Sequence, residues 1–266
     1  MIINEINIYR MVEMKIDYKK EYKIAYTDVD SKAKLSLTSC LELAQNMVTD
    51  YFGSFQNDNL TLTNKYNAVW VYSKTKVHFW KIPKWKDNLK LETYAEKIKP
   101  IRIELETSFK NENDELLFGV NQELCIMDLE TRKPRKLNTI NYPVDMETGA
   151  SVVNCSFQKL NVKFEESDLV YKQKIYSQDI DFSKHTNNVI YARYIMNCLT
   201  NDFLDKIEIT DFEIHYISES KENQILEIYK KEKNGEIEFL IKDEQEGKEI
   251  VRANLKYMKC GEKNDI

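Results

Sequence analysis

The sequence predicts an α+β chain of two tandem units, each an antiparallel sheet wrapped around a central helix. Three observations lead there. A strand, a helix and a run of strands occur in that order twice. The residues leading into the two helices are alike: Asp28-Val29-Asp30 and Asp179-Ile180-Asp181, each followed within two residues by Ser-Lys. The segment 189–196 is apolar on nearly all sides, as a helix enclosed by a sheet must be.

In the first unit a strand is expected over 18–26. Leu37, Leu41, Ala44 and Val48 recur at helical spacing and predict a helix over 36–55. Strands follow over 66–80, 88–96, 101–110 and 116–128. Pro83, Pro100 and the polar run 111–115 punctuate them, and 130–137 ends the unit. The second unit has a strand over 169–176, a helix over 188–203 and strands over 207–218, 224–231, 237–242 and 249–257. Asn234-Gly235 suits a two-residue hairpin turn because both positions tolerate positive φ. Residues 141–160 have no clear period and read as a linker between domains 15–140 and 161–260. Pairing the two sheets edge to edge would remove exposed strand edges.

Composition narrows the function. A chain of 266 residues with 42% hydrophobic residues, only 6 Gly and 4 Pro has material for a real core. A net charge of -5 argues against a general nucleic-acid binder. No run is apolar for long enough to span a bilayer, and the first 15 residues lack the basic and apolar regions of a signal peptide. The five cysteines, at 40, 125, 155, 198 and 260, are scattered, with no CxxC and no metal-ligand spacing. They read as reduced, small buried hydrophobes in a cytoplasmic protein without metal.

Three histidines can be weighed singly. His78 lies in an alternating strand and reads as packed or solvent-facing. His215 falls on the face opposite Phe212, Ile214 and Tyr216. His185 differs: Asp181 and Ser183 precede it and Asn187-Asn188 follow, where a helix begins. Free N–H groups there can hold a developing oxyanion. Either asparagine also suits the helix N-cap.

The stretch 179–191, DIDFSKHTNNVIY, resembles the acyl-ACP thioesterases of plants and bacteria, whose pattern there is approximately D-x-D-x-N-x-H-x-N-N-x-x-Y. Asp179, Asp181, His185, Asn187, Asn188 and Tyr191 match. Ala68-Val69-Trp70-Val71 with 82–87 is similar to the family's I-W-V…Y-P-x-W-x-D stretch, 131–136 to its K-T-R turn, and 216–220 to its Y-x-x-E-C. The resemblance runs from about 18 to 258. It implies two fused hotdog domains without a cofactor, with catalysis in the C-terminal one and the N-terminal one shaping the acyl pocket. By position it assigns catalytic roles to Asp181, His185 and Glu219, and places Ser183 where the family has its catalytic Asn. Ser220 stands where the family has Cys, which favours an activated water over a cysteine nucleophile.

Implied, then, is hydrolysis of a fatty acyl thioester on acyl carrier protein, terminating fatty acid synthesis. The expected roles are Glu219 and His185 at the water, Asp181 orienting, and N–H groups near Asn187, Asn188 and Val189 at the oxyanion. The alternatives are an acyl-CoA thioesterase of the same fold and a non-catalytic acyl-binding protein. Lys84, Lys86, Arg132, Lys133, Arg135 and Lys136 are expected to dock the acidic carrier. The first unit, with Ala33 and Lys34 near the His185 position, is expected to be chemically silent, with Glu42 held as a minor candidate. A homodimer is compatible with this reading.

Overall fold

The computed structural model describes residues 17–153, 156–233 and 235–260. Strand β1 (Asp17–Lys23) leads through a 3-10 turn (Tyr26–Asp28) into helix α1 (Leu37–Gly53), so the extended segment ends earlier than its alternation suggested. Ser36 caps α1 with its Oγ on the Ser39 N–H, 3.1 Å away. A short helix that periodicity did not reveal, α2 (Asn59–Tyr66), follows. Asp58 caps it, the left-handed Asn67 ends it at φ 50°, and only Leu62 is buried along it. Next come β2 (Ala68–Phe79), β3 (Asn88–Lys99), β4 (Arg102–Lys110), β5 (Leu116–Asp128) and the two-residue β6 (Pro134–Arg135).

The second half repeats the plan: β7 (Leu169–Lys174), α3 (Asn188–Met196), α4 (Asn201–Leu204), β8 (Ile207–Tyr216), β9 (Ile225–Lys233), β10 (Glu236–Asp243) and β11 (Glu249–Lys259). The single helix expected over 188–203 is two. Thr200 caps α4 through the Phe203 N–H at 3.2 Å and breaks the run after α3. Gly235 has φ +78°, as a hairpin glycine should; Asn234, Cys155 and residues 1–16 lie outside the described residues.

All strands form one antiparallel sheet, ordered β1-β3-β4-β5-β2-β8-β11-β10-β9-β7, with β6 on β5. Each half therefore has the same internal order, and the halves meet where β2 pairs β8 (Lys74↔His215 to His78↔Asp211). This joint leaves neither central edge exposed. The apolar faces of α1 and α3 fill the concave side: Leu41, Ala44, Met47, Val189, Ala192 and Ile195 share one core with Phe212, Ile214 and Phe239. A second core joins Phe52 and Trp70, stacked at 4.2 Å, to Tyr51, Leu124 and Tyr142.

The connection 141–153 and 156–160 carries no helix or strand and straps the sheet. Tyr142 packs in the second core, the Gly149 N–H reaches Ala95 O at 2.8 Å, and Gln158 N–H reaches Glu213 Oε1 at 2.7 Å. Gly149 is required there, because a Cβ would fall 2.2 Å from the Tyr94 ring. Beneath the strap Lys76 and Glu213 are buried, with Lys76 Nζ 3.4 Å from Glu213 Oε2, and His215 pairs with Glu213 at 2.7 Å. His215 thus lies opposite Phe212 and Ile214, as alternation required, and His78 hydrogen-bonds Asp211 at 2.7 Å. Cys40 and Cys198 are small buried groups and Cys125 is half-buried. Cys260 is exposed, against expectation, because it follows the end of the last strand. Among the described residues no helix is long and apolar enough to cross a membrane.

Candidate active site

The loop before α3 is built by backbone bonds around Asp181. Its N–H donates to His185 O at 2.9 Å, its Oδ1 accepts from the Ser183 N–H at 2.8 Å and Oγ at 2.5 Å, and Lys184 turns the chain at φ +65°. Asp179 fastens the start, its Oδ2 on the Tyr176 N–H at 2.8 Å and its O on the Asn187 N–H at 2.9 Å. Asn187 is the N-cap of α3, with Oδ1 3.0 Å from the Val189 N–H. The residue after His185 then ties this loop to the end of β8: the Thr186 N–H donates to Ser220 O at 2.9 Å.

That tie brings Glu219 to His185. The His185 Nε2 lies 3.1 Å from Glu219 Oε2, with His185 largely buried and Glu219 one-third exposed. Ser220 itself is fully buried, its Oγ 2.9 Å from Thr186 Oγ1 and 2.8 Å from the Tyr191 hydroxyl. Burial pushes the Tyr191 phenol up, against the hydrogen bond from Ser220. Ser220 is therefore a bracket between strand end and helix, enclosed away from any substrate. Asp181 and Ser183 form a second pair, joined to His185 through the backbone rather than through their side chains.

Both pairs line a cavity of about 530 Å³ that reaches into the first half, where Val48, Phe52, Val69, Trp70 and Leu124 give it an apolar wall. Asn188 also lines it. Of the three N–H groups considered for an oxyanion, those of Asn187 and Val189 already have acceptors, and the Asn188 N–H has none among the described residues. Arg132, from the turn after β5, lines the mouth and bonds Glu219 Oε2 through Nη2. No signal in the sequence pointed to that contact, since 87 residues separate the two.

The other five basic residues expected to dock a carrier lie apart from the cavity wall. Lys84 and Lys86 are exposed on the bend after β2, with Lys86 Nζ 4.6 Å from the centre of the Trp85 ring. Lys133 and Lys136 are exposed, whereas Arg135 is spent internally on Tyr66 O at 2.6 Å and Asp128 at 3.5 Å. Glu42 is also outside the cavity wall and pairs with Arg193 of α3 at 3.6 Å.

The first half contains the same loop with neither the imidazole nor the carboxylate. Asp30 N–H donates to Lys34 O at 2.8 Å, Ala33 turns at φ +54°, and the Leu35 N–H meets Pro83 O at 2.8 Å as Thr186 meets Ser220. Lys34 therefore stands at the His185 position and Ile82 at the Glu219 position. Matching these hydrogen bonds offsets Ser31-Lys32 and Ser183-Lys184, alike in sequence, by one residue.

Comparison with known proteins follows the same outline. Residues 15–140 match the model of the acyl-ACP thioesterase N-terminal domain and residues 161–259 that of the C-terminal domain. The chain is 20% identical over 235 residues to oleoyl-acyl carrier protein thioesterase 2, chloroplastic, of Arabidopsis thaliana, covering 82% of this chain and 64% of that one. It is 18% identical over 249 residues to the Coriandrum sativum oleoyl-acyl carrier protein thioesterase, with 85% and 65% covered. The chain thus spans just under two thirds of the length of these relatives. The crystal structure of an acyl-ACP thioesterase from Bacteroides thetaiotaomicron superposes with TM-score 0.80 at 16% identity, covering 91% of this chain and 98% of the other. The 12:0-ACP thioesterase from Umbellularia californica superposes with TM-score 0.82 at 17% identity, covering 92% and 98%. The fold is accordingly the double hotdog, and with family models matching most of its length, the chain belongs to the acyl-ACP thioesterase family.

Proposed function

We propose that the protein hydrolyses fatty acyl thioesters of acyl carrier protein, releasing free fatty acid and so terminating fatty acid synthesis. The observation that carries this is the 3.1 Å contact of His185 with Glu219 at the mouth of a cavity with an apolar inner wall. A volume of about 530 Å³ is in the range of small-molecule sites. In this reading the N-terminal hotdog (15–140) walls the acyl chain, the strap (141–160) links the halves, and the C-terminal hotdog (161–260) carries the chemistry.

Glu219 takes a proton from water as the water oxygen bonds the thioester carbon, and His185 holds the carboxylate. The carbonyl π electrons move to oxygen, and the Asn188 N–H at the start of α3 donates a hydrogen bond to the oxyanion so formed. Collapse breaks the carbon–sulfur bond, and the proton on Glu219 passes to the leaving thiolate. Asp181 fixes the Ser183 hydroxyl in the cavity wall, in place of the family's amide; a hydroxyl both donates and accepts but reaches less far.

The thioester sulfur of the proposed substrate belongs to an acidic protein, and Lys84, Lys86, Lys133 and Lys136 remain exposed to meet it. Arg135 contributes less, being turned inward. Scattered free thiols are consistent with a reducing cytoplasm. A homodimer is compatible with this reading, because every proposed site residue comes from one chain. The test is a panel of acyl-carrier and acyl-CoA thioesters of matched chain length, read by free thiol. Glu219→Ala and His185→Ala should each lose about 10²- to 10⁴-fold in kcat with the fold intact; near-normal turnover in both would reject the assignment.

A further inference from the structure

One contact of Glu219 comes from the other half of the chain. Arg132 sits in the turn between β5 and β6, in the left-handed region at φ +55°. Asp128 holds that turn: its Oδ1 accepts from the Glu130 N–H (3.1 Å), the Thr131 N–H (2.8 Å) and the Thr131 hydroxyl (3.0 Å), and its O accepts from the Arg132 N–H (3.0 Å). The guanidinium so aimed bonds Glu219 Oε2, the oxygen that also faces His185 Nε2. Glu219 Oε1 has no partner among the described residues.

Building on the thioesterase reading, we propose that Arg132 is a positioning residue of the reaction, contributed by the N-terminal hotdog to the site of the C-terminal one. One carboxylate oxygen is fixed from both sides, by Arg132 and His185. The other is thereby turned to the cavity, free to take the proton of water. Docking of the carrier is a separate role, and the two differ in what they would change. A docking cation acts on encounter, so its loss raises KM for the carrier-bound substrate alone and its effect fades with salt. A positioning cation acts on the bound complex, so its loss lowers kcat even on a substrate without the carrier. An exposed ion pair contributes little to folding, so removing it should leave the protein folded.

The experiment measures kcat and KM on an acyl-pantetheine thioester for wild type, Arg132→Ala and Arg132→Lys, with Tm beside them. Misplacing a base costs part of its contribution, so kcat should fall roughly 10- to 100-fold in Arg132→Ala with KM changed by less than about twofold. Arg132→Lys, which can still reach one oxygen, should recover most of the loss. An unchanged kcat in a folded Arg132→Ala, or a loss that Arg132→Lys does not repair at all, overturns the positioning role while leaving the thioesterase reading in place. Absence of thiol release by the wild type would refute that reading, and this inference with it.

Discussion

The oxyanion assignment can be tested at a single backbone atom. Asn188 is the first residue of α3, and of the three N–H groups near the helix start its own is the one without an acceptor among the described residues. Proline is favoured at that helical position because the N–H is not needed by the helix. The residue before a proline must be extended, and Asn187, at φ -59° and ψ 136°, already is. Asn188→Pro should therefore remove the donor without disturbing the cap, which bonds Val189. Loss of one oxyanion donor costs about 10²- to 10³-fold in kcat, or about 2.7–4 kcal/mol. The side chain is lost as well, so the reference is Asn188→Ala, which keeps the N–H. Free-thiol kinetics at saturating substrate, with circular dichroism melts, give the comparison. The expected result is kcat at least about 100-fold below Asn188→Ala with a similar Tm. If the proline variant turns over within about threefold of the alanine variant, the donor lies elsewhere and the argument from the unpaired N–H is wrong.

Other outcomes follow from the same geometry. Ser220→Ala should lower stability by about 0.5–1.5 kcal/mol, by removing the hydroxyl that bonds Thr186 Oγ1 and the Tyr191 hydroxyl, while Thr186 keeps Ser220 O at 3.2 Å and turnover stays within severalfold; abolished turnover in a folded variant would instead make this serine a nucleophile. Phe52→Leu removes one partner of the 4.2 Å stack that walls the cavity, and should shift the preferred acyl chain longer at a stability cost of about 1–2 kcal/mol; an unchanged chain-length profile argues that the chain runs elsewhere. Gly149→Ala should lower Tm by several degrees through the clash with Tyr94, leaving kcat intact. Asp211 and Glu213 are pushed up by burial but held below their ordinary values by His78 and His215. A depressed carboxylate stabilises the fold above its unfolded pKa and stops doing so as pH falls through the folded one. Melts should therefore show stability lost below about pH 4, and Asp211→Asn should flatten that limb.

Much of this fold was legible because its signals are local. Alternation marked every strand of the sheet longer than two residues, and β5 was delimited to the residue. Helix α2 escaped because a helix with one buried residue has no apolar stripe; the Asp58 cap three residues before Thr61 was its only mark. The break between α3 and α4 escaped because apolar residues continue through Cys198 and Leu199, and only Thr200 signals a new start. Asp181, Ser183 and His185 could be grouped from sequence because one loop holds them. The contact of Arg132 with Glu219 depends on the register of β2 against β8, a quantity no local pattern encodes.

The duplicated loop separates what is scaffold from what is chemistry. Both halves use an aspartate whose N–H reaches four residues ahead, a left-handed residue after it, and a strand end tied to the residue that follows. That geometry exists where Lys34 and Ile82 occupy the reacting positions, so it is required for entering a helix beneath the sheet and not for catalysis. Lys34 is moreover committed to Glu208 at 2.6 Å across the joint of the halves. Only the second copy puts an imidazole and a carboxylate on the same frame, and only there does a guanidinium from the other half reach in. The two frames are alike in their hydrogen bonds, and in the proposed mechanism the second carries the base while the first half provides a wall and an arm. Furnishing the first frame alone, by Lys34→His with Ile82→Glu, should therefore yield a second site at least roughly 10- to 100-fold slower than the first. The pair would lack an arm equivalent to Arg132, and stability would fall with the loss of the Lys34–Glu208 contact.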